Sequence, residues 1–271
     1  WMKFYQSEAS TSAMGPNYFE MNLDKVIGLA YWGAIDYLGE SQGWPAKGWA
    51  QGVFDISLNA KPKAYFMKSF FTDEPMVRLS VMEDKNAGVE WNGIITGTDR
   101  QSERWNRPEG SKANLVIYTN CDEVELLLNG KSLGRRNNPK DAKSRNKITW
   151  NDTDYKKGRI EAVAYRGGKA VARHALETTG KPVKIVAEPD NSQWHADGMD
   201  LQHIRLRAVD AKGRTVLTCQ DELTFSVSGD AQIVAVTNGD INSNELNVTN
   251  HRSLWQGQAM VILRAGTTPS N

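Results

Sequence analysis

The chain is poor in the groups that most often betray a function. It has 2 cysteines and 4 histidines in 271 residues. Cys121 and Cys219 are far apart and read as belonging to different domains, so no disulfide between them is expected, and their number fixes no redox compartment. His174, His195, His203 and His251 show none of the His-x-x-x-His or His/Cys spacings that hold a metal, so none is expected. No apolar run approaches the ~18–20 residues of a membrane-crossing helix. The formal net charge is +1, which gives no electrostatic case for nucleic acid or an anionic membrane surface. The one basic cluster, residues 131–147, is broken by Gly134, Pro139 and Asp141 and reads as a solvated hairpin loop. No glycine-rich phosphate loop, dinucleotide fingerprint or Ser/His/Asp grouping is present, and no cofactor is expected. No secretory leader is visible, which carries no weight if the N-terminus is a cut.

Aromatic residues are abundant by comparison: 9 Trp and 8 Tyr. Such rings stack on the C–H faces of sugars, and they also fill the cores of β-sandwiches. Two apolar stretches open the chain, Lys3–Gln6 and Val26–Trp32, both suited to strands buried in a parallel sheet. Gly15-Pro16-Asn17 precedes Tyr18–Lys25, expected to form one or two helical turns. Ala60–Phe71 reads as a helix with an apolar face. Strand, helix, strand, loop, helix is the order of a βαβα array, assigned to residues 1–74.

The texture changes at Pro75. Val77–Val81, Leu115–Thr119, Val124–Leu128, Ile160–Ala164 and Ala170–Ala175 are short β-rich runs, with hairpin turns at Asn129-Gly130 and Tyr165–Lys169. They predict an antiparallel sandwich over residues 75–180, closed by a linker at Thr178–Pro182. Val183–Ala187, Leu201–Val209, Leu223–Val227, Gln232–Val236 and Ala259–Arg264 predict a second sandwich over residues 181–271. Asp190, Asp197, Asp200 and Asp240 read as turn residues rather than calcium ligands. Asn151-Asp152-Thr153 and Asn247-Val248-Thr249 match the glycosylation pattern, a common chance match.

Ser7-Glu8, followed by Tyr31-Trp32-Gly33-Ala34-Ile35-Asp36-Tyr37-Leu38-Gly39-Glu40, resembles the seventh and eighth barrel strands of glycoside hydrolase family 2, in its β-galactosidase branch. Tyr118–Leu126 with Asn129–Gly134 is similar to the immunoglobulin-like domain that follows the barrel. Ala196–Leu201 with Thr237–Asp240 is similar to the family's bacterial immunoglobulin-like C-terminal domain. The resemblance implies the last two strands of a (β/α)8 TIM barrel followed by two immunoglobulin-like antiparallel β-sandwiches. It implies a retaining exo-β-glycosidase, foremost a β-galactosidase, with Glu8 as nucleophile and Trp32 as a sugar platform. Asp36, Glu40 and Trp44 join Trp32 as candidate substrate contacts.

In that family the acid/base glutamate follows an Asn. Here the single Asn-Glu pair is Asn244-Glu245, in the terminal sandwich. The acid/base is therefore expected upstream, in another part of the same enzyme, and the isolated chain is expected to be inactive. The expected substrate is an oligo- or polysaccharide, and the resemblance favours a periplasmic or extracellular setting. β-Glucuronidase and β-mannosidase stay open, because most sugar-reading residues would lie upstream. The rival reading is a non-catalytic carbohydrate-binding or structural sandwich module, with Trp91, Trp105, Trp150, Trp194 or Trp255 as its platforms.

Overall fold

The computed structural model describes residues 4–9, 26–40, 47–50, 52–83, 90–91, 94–95, 101–141 and 144–269. The chain divides into two compact units, Trp1–Asp55 with Ala60–Thr178, and Ile56–Asn59 with Thr179–Asn271.

In the first unit, β1 (Phe4–Ala9) and β2 (Val26–Tyr31) run parallel, pairing Phe4 with Val26 and Ala9 with Tyr31. β1 extends past the predicted Gln6 and takes in Glu8. The turn-helix expected at Tyr18–Lys25 lies outside the described residues. β3 (Tyr37–Leu38) and β4 (Gly48–Trp49) form a short antiparallel pair. Helix α1 (Pro62–Phe71) starts with a proline, whose missing N–H costs nothing in a first turn. Its aromatic face meets the following sheet: the Phe66 and Tyr118 ring centroids are 5.0 Å apart, and the Arg78 guanidinium lies 4.0 Å from the Tyr65 centroid. Asn120 donates to the carbonyls of Thr72 and Glu74, both at 2.8 Å, just beyond the helix.

Among the described residues the rest of this unit is all β: β5 (Val77–Met82), β6 (Glu90–Trp91), β7 (Ile94–Ile95), β8 (Gln101–Ser102), β9 (Lys112–Thr119), β10 (Glu123–Leu128), β11 (Lys131–Asn137), β12 (Lys147–Asp154), β13 (Arg159–Arg166) and β14 (Lys169–Glu177). Two four-stranded sheets form, in the orders β11-β10-β13-β14 and β12-β9-β5-β8. Both supply one core, which includes Leu79, Val81, Leu115 and Ile117 from one sheet and Val124, Leu126, Ile160 and Leu176 from the other. β10 shows the cause plainly, since its residues alternate between half-buried and buried, the period of a strand with one face in a core. Asn129 (φ 52°) and Gly130 (φ 82°) make its hairpin, in the backbone region that such turns require.

The basic cluster needs correcting. Residues 131–137 are not a solvated loop but the edge strand β11. Arg135 pairs with Glu123 at 3.1 Å and Glu125 at 3.3 Å and covers the Tyr165 ring. Arg136 covers Trp150 and donates to the Thr149 carbonyl. Charges on an edge discourage pairing with foreign strands.

The second unit holds β15 (Lys184–Pro189), β16 (Leu201–Val209), β17 (Glu222–Thr224), β18 (Ala231–Thr237), β19 (His251–Ser253) and β20 (Gln258–Ala265). The sheet β15-β16-β20-β18 accompanies the pair β17-β19. Leu206, Ala208, Val236, Ala259 and Val261 pack with Leu254 and Leu223. Arg252 is buried within it, its guanidinium donating to Asn238 Oδ1 (2.9 Å) and the Glu245 carbonyl (3.1 Å). On the sheet face away from this core, the register sets Arg205, Met260 and Thr237 in one row. Ile56–Asn59 joins the unit there: Arg205 donates to the Ser57 carbonyl and to Asn59 Oδ1, both at 3.0 Å, and Ser57 Oγ donates to Thr237 Oγ1 at 3.1 Å. Cys121 and Cys219 are both free thiols.

Candidate active site

The candidate residues gather at the C-terminal ends of β1 and β2. Between the pairs Gln6–Leu29 and Ala9–Tyr31 the register shifts. Ser7 and Glu8 thus stand against Ala30 alone, the arrangement of a bulge, which re-aims the strand at that point. Trp32 follows β2 directly, and the residue is 48% exposed.

Gly33 turns the chain with φ 67°. A Cβ there would fall 2.2 Å from Trp49 Cζ3, so the indole of Trp49 occupies the space that a side chain would need. Trp49 in turn stacks on Tyr37, with ring centroids 5.7 Å apart and planes inclined by 21°. The Tyr37 hydroxyl accepts from Trp32 Nε1 at 3.2 Å and donates to Glu40 Oε2. Glu40 itself is exposed.

Asp36 is placed differently from Glu40. It is 4% exposed, its Oδ2 lies 2.5 Å from Lys61 Nζ, and its Oδ1 accepts the Gly52 N–H at 2.9 Å. Burial pushes its carboxyl above the usual range, and the Lys61 ammonium opposes that push. Lys61 also donates to the Ala50 carbonyl at 3.0 Å. The backbone repeats the link, with the Asp36 N–H reaching the Phe54 carbonyl and the Val53 and Phe54 N–H groups reaching the Ala34 carbonyl. Asp36 therefore fastens the segment after Trp32 to residues 50–54.

The structure brings together Trp32, Asp36 and Glu40 on the segment that follows β2, and sets Glu8 on the neighbouring strand. Trp44 lies outside the described residues, as does the Glu8 side chain. Sequence reasoning passed over Tyr37 and Lys61. Tyr37 carries a signal in hindsight, since it is the one hydroxyl-bearing side chain between Asp36 and Glu40. Lys61 does not, because its role depends on a return of the chain. Among the described residues no group of His, Cys, Asp and Glu is arranged to hold a metal ion, and no helix is long and apolar enough to cross a membrane.

Of the rival platforms, Trp105 and Trp150 are buried in the core of the first unit and present no open face. Trp105 is fully buried.

Residues 185–271 match the family described as glycoside hydrolase family 2 C-terminal domain 5, and residues 110–172 match a domain of unknown function, DUF4982. A β-galactosidase of Bacteroides ovatus is 28% identical over 249 residues, which is 91% of this chain and 26% of that protein. A putative β-glucuronidase of Formosa agariphila is 25% identical over 252 residues, covering 88% of this chain and 22% of its own. Among solved structures, a family 2 glycosyl hydrolase of Bacteroides cellulosilyticus superposes with a TM-score of 0.90 at 31% identity, over 99% of this chain and 36% of that one. A β-glycosidase of Bacteroides vulgatus gives a TM-score of 0.74 at 27% identity, over 90% of this chain and 28% of that one. The chain thus spans about a quarter to a third of the length of these relatives. The resemblance to glycoside hydrolase family 2 is shown, and it falls on the C-terminal part of the family's longer polypeptides.

Proposed function

From that relationship we propose that the chain is the C-terminal part of a retaining exo-β-glycosidase, foremost a β-galactosidase, with Glu8 as its nucleophile. The observation that carries this reading is the placement of Glu8 and Trp32 at the C-terminal ends of two hydrogen-bonded parallel strands. Catalytic groups of (β/α)8 barrels lie at that face. Residues 1–74 are accordingly read as the end of the barrel, and residues 75–180 and 181–271 as two immunoglobulin-like sandwiches.

In the proposed reaction the Glu8 carboxylate attacks the anomeric carbon and forms a glycosyl ester, while the bond to the leaving oxygen breaks. A second carboxyl, about 5–5.5 Å away, gives that oxygen its proton and then takes one from the water that hydrolyses the ester. No Asn-Glu pair occurs in residues 1–74 to supply it, so it is assigned to another part of the same enzyme. Trp32 offers an apolar face to the sugar ring, and Glu40 stands on the segment that follows it; Trp44 is kept as a candidate substrate contact. Asp36 contributes by fixing the segment after Trp32.

The test is Glu8→Gln in the polypeptide that bears this chain, assayed on 4-nitrophenyl β-galactoside, β-glucuronide and β-mannoside. Loss of a nucleophile removes most of the rate, here at least about a thousand-fold in kcat on whichever sugar is preferred. Full activity of the variant would contradict the assignment. The three sugars separate β-galactosidase from its alternatives.

A further inference from the structure

We propose that Tyr37 is a positioning residue of the candidate site, its hydroxyl setting the orientation of both the Trp32 indole and the Glu40 carboxylate. The chemistry of the three groups leaves one way to connect them. An indole N–H can only donate, an ionised carboxylate can only accept, and a phenolic hydroxyl does both. The Tyr37 oxygen accepts from Trp32 Nε1 at 3.2 Å and passes its own proton to Glu40 Oε2.

The hydroxyl is itself held in place. Tyr37 pairs with Trp49 across the β3–β4 ladder, and their rings stack 5.7 Å apart. Trp49 lies against Gly33, where any side chain would collide with it. The order of support runs from Gly33 through Trp49 to Tyr37, and from there to Trp32 and Glu40. Trp32 is half exposed, so without this bond its indole would be free to sample other rotamers. One such hydrogen bond biases that choice roughly 5-fold. The arrangement suits a pyranose that stacks its C–H face on the indole and donates a ring hydroxyl to Glu40.

The functional meaning of this inference rests on the reading of Trp32 as a sugar platform, but its test does not. In the 15N-labelled chain the 9 tryptophans give separate indole N–H signals, and Trp32→Phe identifies the one to follow. Tyr37→Phe keeps the ring and its stacking on Trp49 while removing the bridge. It is expected to shift the Trp32 signal, with those of the buried Trp105 and Trp150 unmoved. Glu40→Gln, at an exposed position, tests the far side of the bridge and is expected to shift the same signal. A Trp32 signal that stays in place in both variants, with Trp105 and Trp150 unchanged, would overturn the proposal. Galactose and glucuronic acid are then titrated into the unaltered chain and Tyr37→Phe. Weaker perturbation of Trp32 in the variant supports positioning for binding. A bridge that responds to the variants while neither sugar perturbs Trp32 leaves Tyr37 as a positioning residue and counts against the platform reading instead.

Discussion

At the scale of the residue, charge in this protein is governed by what each group faces. His174, on β14, accepts the Leu79 N–H of β5 at 3.1 Å through Nδ1 and so ties the two sheets of the first unit together. Burial, with Arg78 and Arg159 nearby, drives its pKa down from 6.5 to about 3. A histidine held neutral contributes stability that is fully present above the unfolded pKa. That stability is lost as pH falls from about 6.5 toward 3, because the unfolded chain takes up a proton that the folded chain refuses. At ~1.4 kcal/mol per unit the loss amounts to several kcal/mol. The urea midpoint of the chain should therefore fall between pH 6.5 and 4, and His174→Asn, which keeps an acceptor, should flatten that fall. An equally steep decline in the variant would place the sensitivity elsewhere. Asp210 adds to the same loss on acidification, though from the charged side: the Arg214 guanidinium, with the Gly180 N–H, holds its carboxyl well below the usual range, so its contribution is present above its unfolded pKa and lost as pH falls. Neither role was legible in the sequence. The four histidines are scattered through the sequence, and nothing in Arg173-His174-Ala175 announces a backbone donor from a strand some 95 residues away.

At the scale of the element, legibility followed periodicity. β10 alternates between half-buried and buried positions throughout, β16 does so from Arg205 to Ala208, and the sequence expectation for β16, Leu201–Val209, coincides with the strand. β11 escaped notice because every one of its residues is exposed, so no apolar period marks it. The pair β3–β4 is two residues long on each side and depends on a contact across the chain rather than on local pattern. The same holds for Ile56–Asn59, which reads as an ordinary loop yet is bound by the outer face of the sheet β15-β16-β20-β18. Leu58 at its tip takes a φ of 62°, a region unfavourable to a side-chain-bearing residue, between the two residues that Arg205 holds. Arg205 points away from the core, so Arg205→Ala should leave the sheet folded. Hydrogen–deuterium exchange should then show faster exchange at residues 56–59 with unchanged protection in β16 and β20. Unchanged exchange at 56–59 would mean that Thr237 and the rest of the loop hold it without Arg205.

At the scale of the whole molecule, the chain reads as two β-rich units, the first of which holds the candidate site. The β-rich texture beyond Pro75 was plain in the sequence, because hairpin turns and alternating runs are local signals. The candidate site was legible through a resemblance rather than through physics: Glu8 and Trp32 fit a glycosidase only once the parallel pairing of β1 and β2 sets them at the same strand ends. Retaining chemistry needs two carboxyls, and the chain offers one candidate nucleophile without its acid/base. The isolated chain should thus bind sugar at most, and turnover is expected only in the polypeptide that supplies the second carboxyl. The most direct measurement uses that polypeptide, treated with an activated 2-deoxy-2-fluoro-β-galactoside, which traps the glycosyl ester, and then digested for peptide mass analysis. The account predicts one fluorosugar ester on Glu8 and none in Glu8→Gln. A label on any other residue, or turnover that leaves no ester while Glu8→Gln stays active, would contradict it.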